Sequence, residues 1–464
     1  MNALFAQQLH DDPRIQEAKQ LIDSALSEHQ TKITGVRPSD PARVKESEEL
    51  LERLKQARGA GTYYPYLGSG IGKGPLVELV DGSIKYDFIC GIGVHFMGHS
   101  HPVLTQLGVD AALADTVMQG HLQQNEDTLH LSEQLIDASG LDHCFLTSSG
   151  AMANENALKM AFQKHQPATR ILAFENCFMG RTLSLSQMTD KPQYRQGIPL
   201  NVGVDYVPFY NHEEPETSEK RALAILQRHI ERYPNQHAAM VFELVQGEGG
   251  FFPGTPSFFK SLMGECKKHN IAVFVDEVQT FGRTLELFAY QHFDLTEYVD
   301  LVSIGKLSQV CATLYRQSYQ PKPGLLSQTF TSSTSAIRAA SAILHHVLQP
   351  SFYGENGKVA HLHKHFSLRL EGLEHKYPEL IQGPFGIGAM VAFTPFGGDT
   401  NKVARFVQEL FTAGVISFIA GAAQKRVRFL IPAAVAEEKD IDAVCDIVEA
   451  TLLKTDTAND THAN

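Results

Sequence analysis

Residues 238–276 carry the pattern that most restricts the fold. Ala238 to Leu244 is an apolar run, and Thr255-Pro256 offers an N-cap and a first-turn proline for a helix reaching about Lys268. Ile271 to Asp276 is apolar again. Strand, helix and strand in this span predict a right-handed βαβ crossover, since parallel neighbours need a long connection. The sheet is therefore expected to be mostly parallel, with functional loops at the carboxyl ends of its strands. Phe242-Glu243 and Val275-Asp276 then place two acids on one rim of it.

Strands and helices alternate across residues 103–346, which is read as a large α/β domain. Residues 1–60 are expected to be a helical region, with Asp40-Pro41 starting a helix whose apolar stripe is Val44, Leu50, Leu51 and Leu54. Residues 61–102 change to short strands, with Asp81-Gly82 as a hairpin turn. Residues 347–454 hold an apolar strand (Ile387 to Phe393), a helix (Thr400 to Ala413), a strand (Val427 to Ile431) and a final helix (Ala436 to Leu453). The expected architecture is a large parallel-sheet domain inserted between two parts of a smaller α+β domain, followed by a frayed, disordered tail at 455–464.

The chain has 464 residues and a net charge of −12, which argues against a nucleic-acid or anionic-membrane partner. No apolar run approaches the roughly 20 residues that span a bilayer. The N-terminus lacks the basic then apolar pattern of a signal peptide, and the six cysteines are scattered without a C-x-x-C pair. A cytoplasmic, reducing location is the expectation.

Lys306, in Ile304-Gly305-Lys306, follows Asp276 by 30 positions. An acid ending one strand and a lysine after the next suit pyridoxal phosphate, whose aldehyde condenses with an amine and whose ring nitrogen needs a carboxylate partner. Thr147-Ser148-Ser149-Gly150-Ala151, between an apolar run and a helical stretch, can present backbone N–H groups to a phosphate. Further on, Phe178-Met179-Gly180-Arg181 joins a ring that can stack on a planar group to a guanidinium that can grip a carboxylate.

Taken in order, these segments resemble the class III (ω-amino acid) aminotransferases of fold type I. The motifs are Ser149-Gly150-Ala151 with Asn154-Glu155, Phe178-x-Gly180-Arg181-Thr182, Glu243-x-Val245-Gln246-Gly247-Glu248-Gly249-Gly250, Asp276-Glu277-Val278-Gln279-Thr280, Ile304-Gly305-Lys306 and Val427-Arg428-Phe429. They run from about Tyr63 to Leu453, and nearest in motif are the 4-aminobutyrate, lysine 6- and ornithine-type branches. The resemblance implies that Ser149, Gly150 and Ala151 bind the phosphate, with Thr329 reaching in from the neighbouring subunit of a homodimer with shared active sites. It implies that Phe178 and Val278 enclose the cofactor ring, that Gln279 meets its hydroxyl oxygen, and that Glu243 belongs to the cofactor set. Lys306 and Asp276 are the catalytic pair. Arg428, covered by Glu248 when an ω-amine binds, and Arg181 would take substrate carboxylates; Tyr63, or its neighbour Tyr64, would reach the pocket. A 2-oxo acid, 2-oxoglutarate, is the expected acceptor, and 4-aminobutyrate, ornithine, acetylornithine and lysine are the open donors. An aminomutase, racemase or decarboxylase outcome on the same cofactor is the alternative, and a non-catalytic descendant a further one.

Departures from the family pattern cluster near the lysine: Leu307-Ser308-Gln309-Val310 stands where glycines are frequent, and Gln279-Thr280-Phe281-Gly282-Arg283 is one glycine short. Two other patterns lead elsewhere at first sight. Gly68 to Lys73 has three residues between its glycines, Ser69 to Ile71, where a phosphate loop needs four, and lacks the following Ser or Thr. His95, His99 and His101 are read as a polar turn, with no metal site expected.

Overall fold

The computed structural model describes residues 3–460 and divides into two compact units. One contains the described residues up to Ala114, His361–Phe385 and those from Ala389 on; the other contains Asp115–Ala360 and Gly386–Gly388.

The second unit is built on a seven-stranded sheet. Its strands in chain order are β1 (His143–Thr147), β2 (Arg170–Phe174), β3 (Gly203–Val207), β4 (His237–Phe242), β5 (Ala272–Glu277), β6 (Leu301–Ile304) and β7 (Cys311–Tyr315). They lie in the order β1-β7-β6-β5-β4-β2-β3. The β4-helix-β5 unit is present as expected: Thr255 caps the helix Pro256–Lys268 by accepting the Phe258 N–H, and β4 and β5 pair in parallel, with Val275 opposite Phe242. Both strands are buried along their whole length, which suits near-continuous apolar runs covered on both faces. β7 alone runs antiparallel to both of its neighbours. The link from Ile304 to Cys311 is far too short for a crossover, so the chain must turn back. In consequence Thr147, Phe174, Phe242, Glu277 and Ile304 all end their strands on the same edge of the sheet, with Asp276 one residue before that end.

The first unit holds two small sheets. Strands Gly68–Lys73, Leu76–Leu79 and Ile84–Asp87 form an antiparallel set completed by Val415–Ile416, so N- and C-terminal segments share one sheet. The other is Ile381–Ile387, Met390–Pro395, Arg426–Leu430 and Phe418–Ala420. The single strand expected over Ile387 to Phe393 instead takes in the last residue of one strand, a turn at Gly388-Ala389 and the start of the next strand, with Gly386 and Gly388 at positive φ (104° and 58°) where the chain reverses. Helix Pro41–Arg58 begins at Asp40, whose carboxylate accepts the Ala42 N–H, but its Val44-Leu54 stripe is only half-buried. Helix Pro102–Ala112 groups with this unit rather than opening the other, held by Lys19–Asp110 at 2.7 Å and by Gln106 donating to the Lys19 carbonyl at 3.0 Å.

The last helix, Glu438–Asp460, runs past the expected end at Leu453: Thr455 is buried and its hydroxyl donates to the Thr451 carbonyl. Residues 461–464 of the expected tail lie outside the described ones. Among the described residues no helix is long and apolar enough to cross a membrane, no group of histidines, cysteines and acids could hold a metal ion, and all six cysteines are free. His99 meets the Asp87 carboxylate at 3.0 Å and His95 stacks on its ring.

Candidate active site

The helix Gly150–Lys164 follows β1 directly, and Ser149 caps it by accepting the Met152 N–H at 3.2 Å. The first-turn N–H groups of Gly150 and Ala151 have no helical carbonyl within reach, so they face out of the helix end as an anion cradle. Val278 closes this cradle from the β5 side. A side-chain carbon on Gly150 would lie 2.7 Å from a Val278 methyl, and one on Gly305 would lie 3.4 Å from it. Glycine at both positions thus lets the helix end, Val278 and the turn before Lys306 converge.

Asp276, 6% exposed, accepts the Val278 N–H at 2.9 Å on one oxygen and the Asn154 amide at 2.8 Å on the other. Burial raises its pKa, opposed by these two donors and by the positive charge of Lys306. Asn154 uses its second amide hydrogen on the Met179 carbonyl at 2.8 Å, tying Asp276 to the loop that carries Phe178. Glu243 stands beside them: it accepts the Phe178 N–H at 3.2 Å and the Gly247 N–H at 2.7 Å, yet burial pushes its pKa up to about 8. Gln279 packs so closely on Gly247 that a side-chain carbon there would meet its amide oxygen at 2.3 Å, and the buried Arg283 donates to the Gln279 carbonyl at 2.8 Å.

Lys306 is half-buried and in left-handed backbone, φ 53°. A non-glycine residue rarely adopts this conformation without surrounding contacts that enforce it. Here the turn Lys306–Ser308 is closed by the Gln309 N–H on the Lys306 carbonyl and by the Ser308 hydroxyl on the Val310 carbonyl. Leu307 is fully buried over Gly282, where a side-chain carbon would lie 2.6 Å from it. The two departures noted near the lysine are therefore complementary, the larger residue filling the space above the remaining glycine.

On the outer side, Arg181 is exposed and lies over the Tyr194 ring at 4.2 Å, with Phe178 edge-on to Tyr194 at 6.4 Å. Lys191 stands 4.0 Å from Glu248. The second unit thus gathers Ser149, Gly150, Ala151, Phe178, Arg181, Glu243, Glu248, Asp276, Val278, Gln279 and Lys306 at the carboxyl edge of its sheet. Thr329 is exposed, and no side-chain bond joins it to the cradle among the described residues; its neighbour Gln328 accepts the Thr147 hydroxyl at 2.8 Å.

Arg428 and Tyr63 belong to the first unit. Arg428 is fully buried on the strand Arg426–Leu430, its guanidinium 5.5 Å above the Phe418 ring. Tyr63 meets the same ring at 4.8 Å and is 47% exposed. Tyr64 is a core residue instead, stacked on Phe411 and donating its hydroxyl to the Ser417 carbonyl at 2.8 Å.

Sequence reasoning gave no role to Asn154, Lys191, Tyr194 or Arg283. Asn154 carried a signal, since it lies four residues after Gly150 on the same helix face. The others are brought in by loops, which no periodicity marks.

The family model of the class-III aminotransferases matches residues 68–452. The chain belongs to that family. Similar curated proteins are the acetylornithine aminotransferases of Methanocaldococcus jannaschii, 29% identical over 82% of this chain and 91% of that protein, and of Bradyrhizobium diazoefficiens, 30% identical over 82% and 90%. Similar solved structures are the lysine aminotransferase of Mycobacterium tuberculosis (TM-score 0.78, 23% identity, 87% of this chain and 99% of that one) and the ornithine aminotransferase of Toxoplasma gondii (0.77, 22%, 89% and 96%). The fold is fold type I, and this class-III aminotransferase is a pyridoxal-phosphate-dependent enzyme that transaminates an amino donor.

The residues present fit that cofactor. The helix end suits its phosphate, and Val278 packs closely on Gly150 and Gly305 beside it. Asp276, buried and accepting the Val278 and Asn154 N–H groups, would gain a hydrogen-bonded charged partner in a protonated ring nitrogen. Bound there, pyridoxal phosphate supplies an aldehyde for an amine and a ring that withdraws electrons.

Glu243 gives this site a pH dependence. Below the ordinary carboxylate value of 4.5 it holds its proton whether the chain is folded or not; between there and about 8 only the folded state keeps it. Stability should therefore fall as pH rises through that window. In the cofactor-free protein, Glu243→Gln should melt with wild type at about pH 5 and a few degrees above it at about pH 8.5. Thermal melts across that range, with no widening gap, would show that Glu243 is ionised in the fold.

Proposed function

We propose that this class-III aminotransferase moves the amino group of an ω-amino donor, of the ornithine, acetylornithine, lysine or 4-aminobutyrate kind, to 2-oxoglutarate, forming glutamate. The observation that carries this reading is the arginine-bearing loop 178–181, tied by Asn154 to the carboxylate of Asp276. A carboxylate grip and the cofactor's electronic partner are thereby fixed to one another. Lys306 would hold the cofactor through its side-chain amine, and that amine, when free, would move a proton at the donor carbon. Asp276 would be the carboxylate partner of the cofactor's ring nitrogen, while Val278 and Phe178 would enclose the ring and exclude water. Arg181 takes a substrate carboxylate at the Tyr194 ring; Arg428, buried in its own strand, takes the α-carboxylate of the glutamate pair, and Tyr63 lines that position beside Phe418. Glu248 serves the state in which the donor presents an amine. Thr329 adds its hydroxyl to the phosphate of the partner subunit in a homodimer, and the enzyme works in the cytoplasm.

A panel of ω-amino donors with 2-oxoglutarate, scored by glutamate formation, tests this. One of the named donors should stand well above the rest. Isotope-labelled donor whose nitrogen stays in the product, with no glutamate formed, would overturn it in favour of an aminomutase-type outcome.

A further inference from the structure

The loop that carries Phe178 and Arg181 is gripped from two sides. On one side the Asn154 amide donates to the Met179 carbonyl at 2.8 Å. On the other, residues 188–190 return alongside residues 176–180. Asp190 donates its N–H to the Cys177 carbonyl at 3.1 Å, and its carboxylate accepts the Asn176 N–H at 2.9 Å. This pairing does not continue to Met179 through backbone N–H groups. Those of Met188 and Thr189 are spent on the helical turn before them, on the Ser184 carbonyl at 3.3 Å and the Leu185 carbonyl at 2.8 Å. The Thr189 hydroxyl takes over instead: it accepts the Met179 N–H at 2.9 Å and donates to the Gly180 carbonyl at 2.9 Å. Thr189 is buried, and its carbonyl accepts the Arg195 guanidinium at 3.0 Å, so the hydroxyl is held from behind. Gly180, at φ 123°, lies against the phosphate-cradle helix, where a side-chain carbon on it would be 3.4 Å from the Ala151 methyl.

We propose that Thr189 is a positioning residue for the cofactor site: its hydroxyl fixes residues 179 and 180, and so sets where Phe178 and Arg181 stand relative to Asp276 and Ala151. The proposal rests on the places given to Phe178 and Arg181 under Proposed function. A hydroxyl is donor and acceptor at once, so this one group satisfies a buried N–H and a buried carbonyl together. Met179 is thus pinned at its N–H by Thr189 and at its carbonyl by Asn154, whose amide also reaches the Asp276 carboxylate at 2.8 Å. The loop is fastened at its ends as well. Glu243 accepts the Phe178 N–H at 3.2 Å, and the Thr182 hydroxyl donates to the Glu155 carboxylate on the cradle helix. Removing the middle fastening leaves two buried backbone groups without this partner, and the loop shifts to satisfy them. The end fastenings and the Thr189 backbone bonds do not use the hydroxyl, so the shift stays local. A displacement of about 1 Å in a stacking ring or a gripping guanidinium is enough to weaken what they hold.

Thr189→Val removes the hydroxyl at nearly constant shape, and Thr189→Ser keeps it. The test titrates the cofactor-free protein with pyridoxal phosphate and measures amide hydrogen exchange on the same samples. Thr189→Val should bind pyridoxal phosphate about tenfold more weakly, with faster exchange confined to residues 178–182, while Thr189→Ser should stay within about threefold of wild type. Thermal melts tell positioning from mere structural support. A lowered melting temperature with unchanged pyridoxal phosphate affinity overturns the proposal, as does a Thr189→Ser as weak as Thr189→Val. Should Thr189→Val fail to fold, wild type decides: a Met179 amide exchanging as fast as exposed loop amides overturns the grip, and a protected one with Thr189→Ser at wild-type affinity upholds it. Wild-type protein that binds pyridoxal phosphate but forms glutamate from no donor overturns the reading under Proposed function and leaves the role of Thr189 standing.

Discussion

Lys306→Ala should remove turnover by at least about 10³-fold, because in the proposed reading one side chain supplies both the amine that anchors the cofactor and the base that moves the proton. The loss should fall on kcat, with donor binding largely kept, since Arg181 lies on another loop. Its backbone argues for a local effect: Lys306 is in left-handed geometry fixed by the Gln309 and Ser308 bonds and by Leu307 on Gly282, none of which uses the ammonium. Single-turnover kinetics with an added amine such as methylamine would check this, as partial restoration is expected when a free amine replaces the lost base. A variant that turns over at the wild-type rate would remove Lys306 from the chemistry.

Asp276→Asn should cost on the order of 10²–10³-fold in kcat. The substitution keeps size and shape, and an asparagine oxygen can still accept the Val278 N–H. It loses the charge that in the proposed reading keeps a ring nitrogen protonated, so the step that needs electron withdrawal should slow while KM for the donor changes little. A folded variant that binds the cofactor and loses nothing in kcat would show that the carboxylate is structural. The Asn154 amide separates these cases further. Asn154→Ala removes a donor to Asp276 and the tie to Met179 together.

Much of the large sheet was legible because its signals are local. Ala238 to Leu244 and Ile271 to Asp276 are apolar runs long enough for strands and too short for helices, and Thr255-Pro256 is a start signal with a physical cause. The direction of Cys311–Tyr315 was not read, although the short link from Ile304 forces it. Strand ends were less secure. Ile387 to Phe393 reads as one apolar strand until Gly386 and Gly388 are seen at positive φ, and the last helix continues past Leu453 because Thr455 finds a buried place. Motif likeness named the 4-aminobutyrate, lysine and ornithine branches, and similar proteins include acetylornithine, lysine and ornithine aminotransferases. Branches share the residues that hold the cofactor, so those residues cannot separate donors.

The sequence by itself determined the chemistry: an acid near the end of one strand and a lysine just after the next, a helix end for a phosphate, and an aromatic and an arginine three residues apart. Each is a short stretch whose meaning lies in residue type and spacing. Only the tertiary structure decided how these meet. Asn154 joins Asp276 to the Phe178 loop, Leu307 settles over Gly282, Tyr63 and Arg428 share the Phe418 ring, and Lys191 comes to Glu248. These contacts link segments from ten to several hundred residues apart. Strand and helix periods repeat along the chain and can be read from it, whereas which loops touch is fixed by close packing of the whole unit, which leaves no mark in any one segment.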